Sequence, residues 1–531
     1  MDGRKPVSVF AVVAILALIA GACSSKSNTG GGGGTAATRI VWGTTDSETS
    51  NDPAKCYEIF CGNLIQEVYS RLVSYPASGT TIEPDLAASL PQISSDGLTY
   101  TFTLKDGLKF SDGSAIDANA VVFSINRAIK LNVSGSAAFL LSDVMKTVTA
   151  PDAKTVVFTL KRPNSTFLAR LSFSVASVVN PKVMPANAVA PNTLVAGSGY
   201  YMMPAANYVE GQSIQLDANP NSVLGQPKTK TVLIKFYSSS SALKLALQNK
   251  EVDLGFRTFA ANEVSSLKSD TSITTTGPGL GRVRFLVFNM KDPQFKNNLH
   301  LRQAIAYAID RDRINTDAFN GTVKPLYSML RSSFGAYDPV FQTEYGSKPD
   351  KTKVDSELAA AGVPAGQKVS LTLWAVNGTT HYGAAEQDVQ QSIVRQLQET
   401  GRFTVKTQTE DWTAYKADLA AGKFGFFQLG WFPDYFDPDD YFDPFIGSGS
   451  DSQGSFFHDP TASALIAQEQ KLTDETARDA VFKQLQKFIA DRVLYIPLWE
   501  ESEYVFTQKS VSGTALDVTS FLRIEVLSKS S

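Results

Sequence analysis

Five aspartates and seven aromatic residues share the stretch GWFPDYFDPDDYFDPF, Gly430 to Phe445, with no lysine or arginine among them. Three chemistries fit such a set. Paired carboxylates can serve as acid and base in hydrolysis, clustered aspartates can ligate calcium, and a carboxylate framed by rings can hold an organic cation. An EF-hand begun at Asp437 keeps Asp439 in register but sets Tyr441 at a ligand position and Phe442 in place of the glycine. A glycosidase needs a second carboxyl several Å from the first and one raised pKa, and no other feature of the chain supports it. His300, His381 and His458 have no close metal-ligand spacing, and there is no G-x-S-x-G elbow, P-loop or dinucleotide fingerprint. The binding reading is the strongest: rings form a dehydrated wall, and one carboxylate inside it gains by pairing with an ammonium. The other aspartates read as solvated residues of a surface loop.

The elements that must position this stretch belong to a large protein. A chain of 531 residues predicts two or three domains, and 43% hydrophobic with 19% charged residues is the composition of a folded soluble body. A net charge of -3 gives no basic footprint, so nucleic acid is not an expected partner. At the N-terminus, Arg4 and Lys5 precede an apolar run from Val7 to Ile19 and then Ala20, Gly21, Ala22 and Cys23. The run is too short to span a bilayer and reads as a secretion signal over 1–22. The small residues before Cys23 resemble a bacterial lipobox, with Ala20 where leucine is usual, which implies lipidation of Cys23. Residues 23–37 continue as a Gly-rich tether that buries nothing. Outside the cytoplasm, Cys56 and Cys61 are expected to be bridged. On a regular helix their Cα atoms would stand about 8.6 Å apart, beyond disulfide reach, so a non-helical loop is predicted before a helix from about Asn63 to Val73.

Alternation of Tyr100, Phe102 and Leu104, and of Val156, Phe158 and Leu160, predicts two half-buried strands. Between them Asp117 can cap a helix carrying Val121, Ile125 and Ile129. Further on, TVLIKFY and VDLGF read as strands around a helical SSSSALKLALQNK. GPGLG, Gly277 to Gly281, is read as a break in the chain before the strand RFLVFNM. One amphipathic helix is predicted over LHLRQAIAYAIDRDRI and another around Val481, Phe482, Leu485, Phe488 and Ile489.

In order along the chain stand NDPA, EPDLAASLPQISSDGLTYTFTLKDGLKFSDGS, GSGYY from Gly197 to Tyr201, FNMKDPQFKNNLHLRQAIAYAIDRDRI and GWFPDYFDP. Together they resemble the family 5 extracytoplasmic solute-binding proteins of ABC transporters, the group of dipeptide and oligopeptide receptors. The family's G-T-G-P-Y is Gly197, Ser198, Gly199, Tyr200, Tyr201 here, and the aspartate of its A-x-D-V helix start is Ala120. The resemblance implies an α/β, two-lobed periplasmic-binding-protein clamshell (type II, cluster C) with an extra α+β domain inserted in the first lobe. Lobe I would be 38–85, 197–281 and 504–531, the inserted domain 86–196, and lobe II 282–503, with GPGLG entering a hinge strand. In peptide-binding members a W-x-x-D motif anchors the ligand's α-ammonium. Here it is Trp431 to Asp434, which makes Asp434 the expected anchor and Trp431 and Tyr435 wall residues.

The function so implied is that of a lipid-anchored receptor on the outer face of the cytoplasmic membrane. It would capture di- or oligopeptides as a monomer and deliver them to permease subunits, without a cofactor, a metal or catalysis. The alternatives are the same scaffold carrying a metal chelate, oligosaccharide, opine or other amine, and a secreted hydrolase of cell-wall or glycan material using Asp434 to Asp443.

Overall fold

The computed structural model describes residues 39–257, 259–377, 382–383, 385–447 and 449–530. The leader, Cys23, the tether and His381 lie outside the described residues. Ten strands form the path of one large mixed sheet. They are β1 (Arg39–Thr44), β2 (Tyr201–Met202), β3 (Ser213–Ala218), β4 (Thr231–Phe236), β5 (Leu254–Phe256), β6 (Ile273–Phe288), β7 (Val369–Val376), β8 (Phe403–Glu410), β9 (Phe426–Trp431) and β10 (Tyr495–Gln508). Their spatial order is β8-β7-β9-β6-β10-β5-β1-β4-β3-β2. Every residue of β9 is buried, as is each residue of β6 from Val283 to Phe288. Such continuously buried runs, apolar but for Arg284 and Gln428, belong to strands covered on both faces.

β6 and β10 pair antiparallel over nearly their whole length, from Ile273 opposite Gln508 to Val287 opposite Tyr495. One end of β10 pairs β5, and the far end of β6 pairs β9, so this ribbon runs through both lobes. GPGLG is therefore not a break ahead of a strand. It lies inside β6, and the ladder shifts register between Thr276 and Gly279 and again between Leu280 and Val283. A Cβ on Gly281 would fall 2.7 Å from the Glu501 backbone, so glycine there allows the two strands to approach.

The apolar side chains form separate clusters. One gathers β1, β3, β4, β5 and the chain's end, from Ile40 through Phe256 to Leu527. A second is built from Val283 to Trp499. A third belongs to a four-stranded sheet that contains Thr99–Thr103 and Thr155–Leu160, the two strands expected from alternation. Tyr100, Phe102, Val156 and Phe158 point into it. Helix α1 is Ile59–Val68, and α2 is Ala118–Leu131, capped by Asp117, whose carboxylate accepts from Ala120 N at 3.0 Å. A Cβ on Gly199 would sit 2.2 Å from the Glu67 carbonyl oxygen, so the GSGYY segment packs directly on the end of α1.

Two helix expectations change. Cys56 and Cys61 are bridged, with Cα atoms 5.9 Å apart, but α1 starts before Cys61 rather than at Asn63 and ends at Val68. The geometric constraint is met because Cys56 alone lies outside the helix. The segment LHLRQAIAYAIDRDRI is two helices, Leu299–Ala306 and Arg311–Phe319, because Asp310 caps the second through Arg313 N. Four further helices bear on the site: α3 (Phe167–Leu171), α4 (Glu386–Glu399), α5 (Trp412–Ala420) and the long α6 (Glu475–Arg492).

Candidate functional site

The acidic stretch leaves β9 and runs back along the junction between the lobes. Its five aspartates fall into two groups. Asp437, Asp439 and Asp443 are neutralised by arginines remote in sequence. Arg170, on α3 of the inserted domain, reaches Asp439 at 3.0 Å and Asp443 at 3.2 Å, and its guanidinium lies 5.1 Å from the Tyr435 ring centre. Arg478 on α6 pairs with Asp437 through both nitrogens and with Glu469 at 2.8 Å. Burial alone would raise the Asp439 carboxyl, but Glu469, Arg170 and the Tyr435 hydroxyl outweigh it and hold it down to about 2. Glu469 takes the opposite course, pushed up to about 11 by burial and the Asp439 charge.

Asp434 and Asp440 form the second group. Asp440 is fully buried, and one of its carboxylate oxygens accepts from Trp431 Nε1 and from Asp434 N, both at 2.9 Å. Burial and the Asp434 charge beside it hold Asp440 far above the carboxylate range, so it serves as a neutral brace for the W-x-x-D turn. Asp434 is 6% exposed. Its Oδ2 accepts from the Tyr57 hydroxyl at 2.9 Å, and among the described residues no lysine, arginine or histidine forms an ion pair with it. Burial pushes its carboxyl up to about 7, against the smaller opposing effects of Tyr57 and Arg170.

The expectation that Asp439, Asp440 and Asp443 are surface turn residues is therefore corrected, while Asp437 is half-buried and caps the turn through Asp439 N. Asp439 and Asp440 are 0% exposed and Asp443 6%. The counterions of Asp437, Asp439 and Asp443 come from other elements, a relation no local pattern displays. Trp431 is buried, with its ring edge-on to Phe445 and its indole on Asp440. Tyr435 is 1% exposed and gives its hydroxyl to Asp439 at 2.8 Å, so it faces the insert's core rather than an open wall.

A cavity of about 250 Å³ opens between the lobes, lined by Glu58, the residue after the Tyr57 that bonds Asp434; Asp434 itself is not among its lining residues. On one side stand Asp46, Glu58 and Phe60, on the other Trp412 and Lys416 of α5, with Arg257 next to both. Lys416 pairs with Glu58 at 3.0 Å, and Trp412 Nε1 approaches the same carboxylate at 3.4 Å. The disulfide brackets Tyr57 and Glu58, so one short loop supplies both contacts to the opposite lobe. Tyr57, Arg257 and Trp412 were not found from the sequence. An arginine within the apolar run FLARL was the one available signal for Arg170.

The family model of bacterial extracellular solute-binding proteins, family 5 Middle, matches residues 81–453. The chain is 27% identical over 493 residues to the probable D,D-dipeptide-binding periplasmic protein DdpA of Escherichia coli (strain K12), covering 89% of this chain and 90% of that protein. It is also 27% identical over 458 residues to heme-binding protein A of Haemophilus influenzae, covering 82% and 81%. Among solved structures, the dipeptide binding protein of Pseudoalteromonas sp. SM9913 in complex with Met-Leu superposes with a TM-score of 0.81 at 18% identity, over 93% of this chain and 100% of that one. AgaA in complex with agropinic acid, from A. tumefaciens R10, gives 0.81 at 23% identity over 93% and 99%. The fold is thus the α/β periplasmic-binding-protein fold, a clamshell with an inserted domain.

Proposed function

The chain belongs to the family 5 bacterial extracellular solute-binding proteins, and on that premise we propose that it captures short peptides through their α-ammonium group. It is the solute-binding component of an ABC transporter, acts outside the cytoplasm and is not an enzyme. The peptide reading rests on Asp434. Of the five aspartates it alone combines residual exposure with the lack of a paired cation, while Tyr57 holds one oxygen and leaves Oδ1 for a ligand. A buried carboxylate in that state gains most from an incoming ammonium. The cavity's 250 Å³ is just below the range of ligand pockets, about 300–1,000 Å³, which favours a solute no larger than a dipeptide.

Closure is proposed between lobe I, 38–85, 197–281 and 504–531 with the insert 86–196, and lobe II, 282–503. The separate apolar clusters support this division. Attachment to the membrane through Cys23 rests on the sequence, as does delivery to particular permease subunits. A second reading, a non-peptide solute, is supported by the similarity to a heme-binding protein and to a receptor for agropinic acid. Native mass spectrometry of the protein purified without denaturation tests the two. A mass corresponding to short peptides supports the first, and a bound haem or sugar-derived acid supports the second.

A further inference from the structure

A second cavity, of about 90 Å³, lies along β10 where the lobes meet, and Arg257 stands between it and the 250 Å³ cavity. Its walls are rich in rings. Phe259 comes from the segment after β5, Phe319 from the helix Arg311–Phe319 of the opposite lobe, and Tyr504 from β10. One acid joins this apolar lining without a counterion. Glu503, opposite Gly279 of β6, is 8% exposed, and among the described residues nothing forms a hydrogen bond or an ion pair with its carboxylate. The cations around it are engaged elsewhere. Arg282 pairs with Glu501, and Arg257, whose Nε has no partner and whose backbone stands at φ 84°, approaches Asp46 at 3.6 Å. Lys268 lies over the Tyr504 ring at 4.2 Å, Lys416 is paired with Glu58, and Arg284 with Glu386.

Asp46, Glu501 and Glu503 set three carboxyls against the two guanidiniums of Arg257 and Arg282. Burial raises the Glu503 carboxyl, and the two arginines offset this only in part. A carboxylate so deeply buried and unpaired is costly, and a cation entering the cavity removes that cost. The space equals about three waters at about 30 Å³ each, which is room for the end of one unbranched side chain. Rings along the wall suit an apolar methylene stem, and the carboxylate suits its charged head. We propose that Glu503 is a specificity residue and that this cavity is a subsite for an alkylammonium side chain of the solute, such as that of lysine or ornithine. The proposal rests on the peptide reading and adds to it a preference for a basic residue. Asp434 does not line this cavity, so the two sites can be tested apart.

The test uses two dipeptide series, Ala-X and X-Ala, with X lysine, ornithine, norleucine or glutamate. Each is titrated by calorimetry into the wild-type protein, Glu503→Gln and Glu503→Asp. In one of the series the wild type should bind the lysine or ornithine form at least about tenfold more tightly than the norleucine form. Glu503→Gln should bring that ratio below about threefold, while Glu503→Asp, which keeps the charge, should hold it above about threefold. A wild type that binds norleucine as tightly as lysine in both series, or a ratio unchanged in Glu503→Gln, overturns the subsite and leaves the peptide reading standing. If no dipeptide binds, the peptide reading falls, and the subsite is judged by n-butylamine against n-butanol in saturation-transfer NMR. Amine binding that Glu503→Gln abolishes upholds the subsite. Amine binding indifferent to Glu503→Gln, or none at all, overturns it.

Discussion

The Tyr57 hydroxyl donates to Asp434 Oδ2 at 2.9 Å, joining two residues 377 positions apart across the cleft. Tyr57 lies between Cys56 and Cys61, and its neighbour Glu58 pairs with Lys416 on the other lobe. The disulfide thus restrains the loop from which the first lobe grips the second. Its effect on closure should exceed its effect on the fold at large.

Reducing the bridge, or replacing both cysteines by serine, should weaken ligand binding several-fold, because the loop that carries Tyr57 and Glu58 then has to be ordered when the lobes close. Calorimetry on the oxidised and the reduced, alkylated protein measures it. Equal affinities would mean that the loop is held by its other contacts.

A pH profile should follow from Asp434. Its carboxyl is pushed up to about 7 by burial, and only the ionised form can pair with an ammonium. Below pH 7 the carboxyl is mostly protonated and must give its proton to the solvent before it can pair, so affinity for an ammonium-bearing ligand at pH 6 should be about tenfold below that of the fully ionised site. This dependence fades about one unit above pH 7, where the ligand's own amine, near pH 8, begins to set the upper limb. Calorimetry in buffers of different ionisation enthalpy should show proton release at pH 6. A flat profile between pH 6 and 7 would remove Asp434 from contact with the ligand's charge.

Arg170 is the joint between the insert and the acidic stretch. Arg170→Met leaves Asp439 and Asp443 buried without their cation, which should cost the closed form about 3–5 kcal/mol. The loss should be similar for charged and neutral ligands alike, because it acts on closure and not on recognition. Small-angle scattering with saturating ligand should show a more open particle, and scattering that matches the wild type would place the joint outside the closing motion.

Much of the architecture was legible because it is written in local patterns. Tyr100, Phe102, Val156 and Phe158 alternate as they must in half-buried strands, and Asp117 stands where a helix needs a cap. GPGLG misled because glycine and proline mark turns by propensity, whereas here they sit in a ladder whose register shifts absorb them. The acidic stretch was half legible. Asp434 is singled out by lacking a cation while keeping some exposure, and that can be judged only once Arg170 and Arg478 are seen on its neighbours. Partners 269 residues away leave no trace in spacing. Arg257 was hidden for a similar reason, since its backbone strain and unpartnered Nε exist only in the folded chain.

The central claim, that Asp434 anchors the ammonium of a peptide, is tested most directly by titrating one wild-type-binding dipeptide into Asp434→Asn and, as a control, Asp440→Asn. Asp440 is a neutral brace, so its amide replacement should change affinity by less than about threefold. Asp434→Asn should lose about 2–5 kcal/mol, roughly thirtyfold or more in Kd. Wild-type affinity in Asp434→Asn would contradict the account.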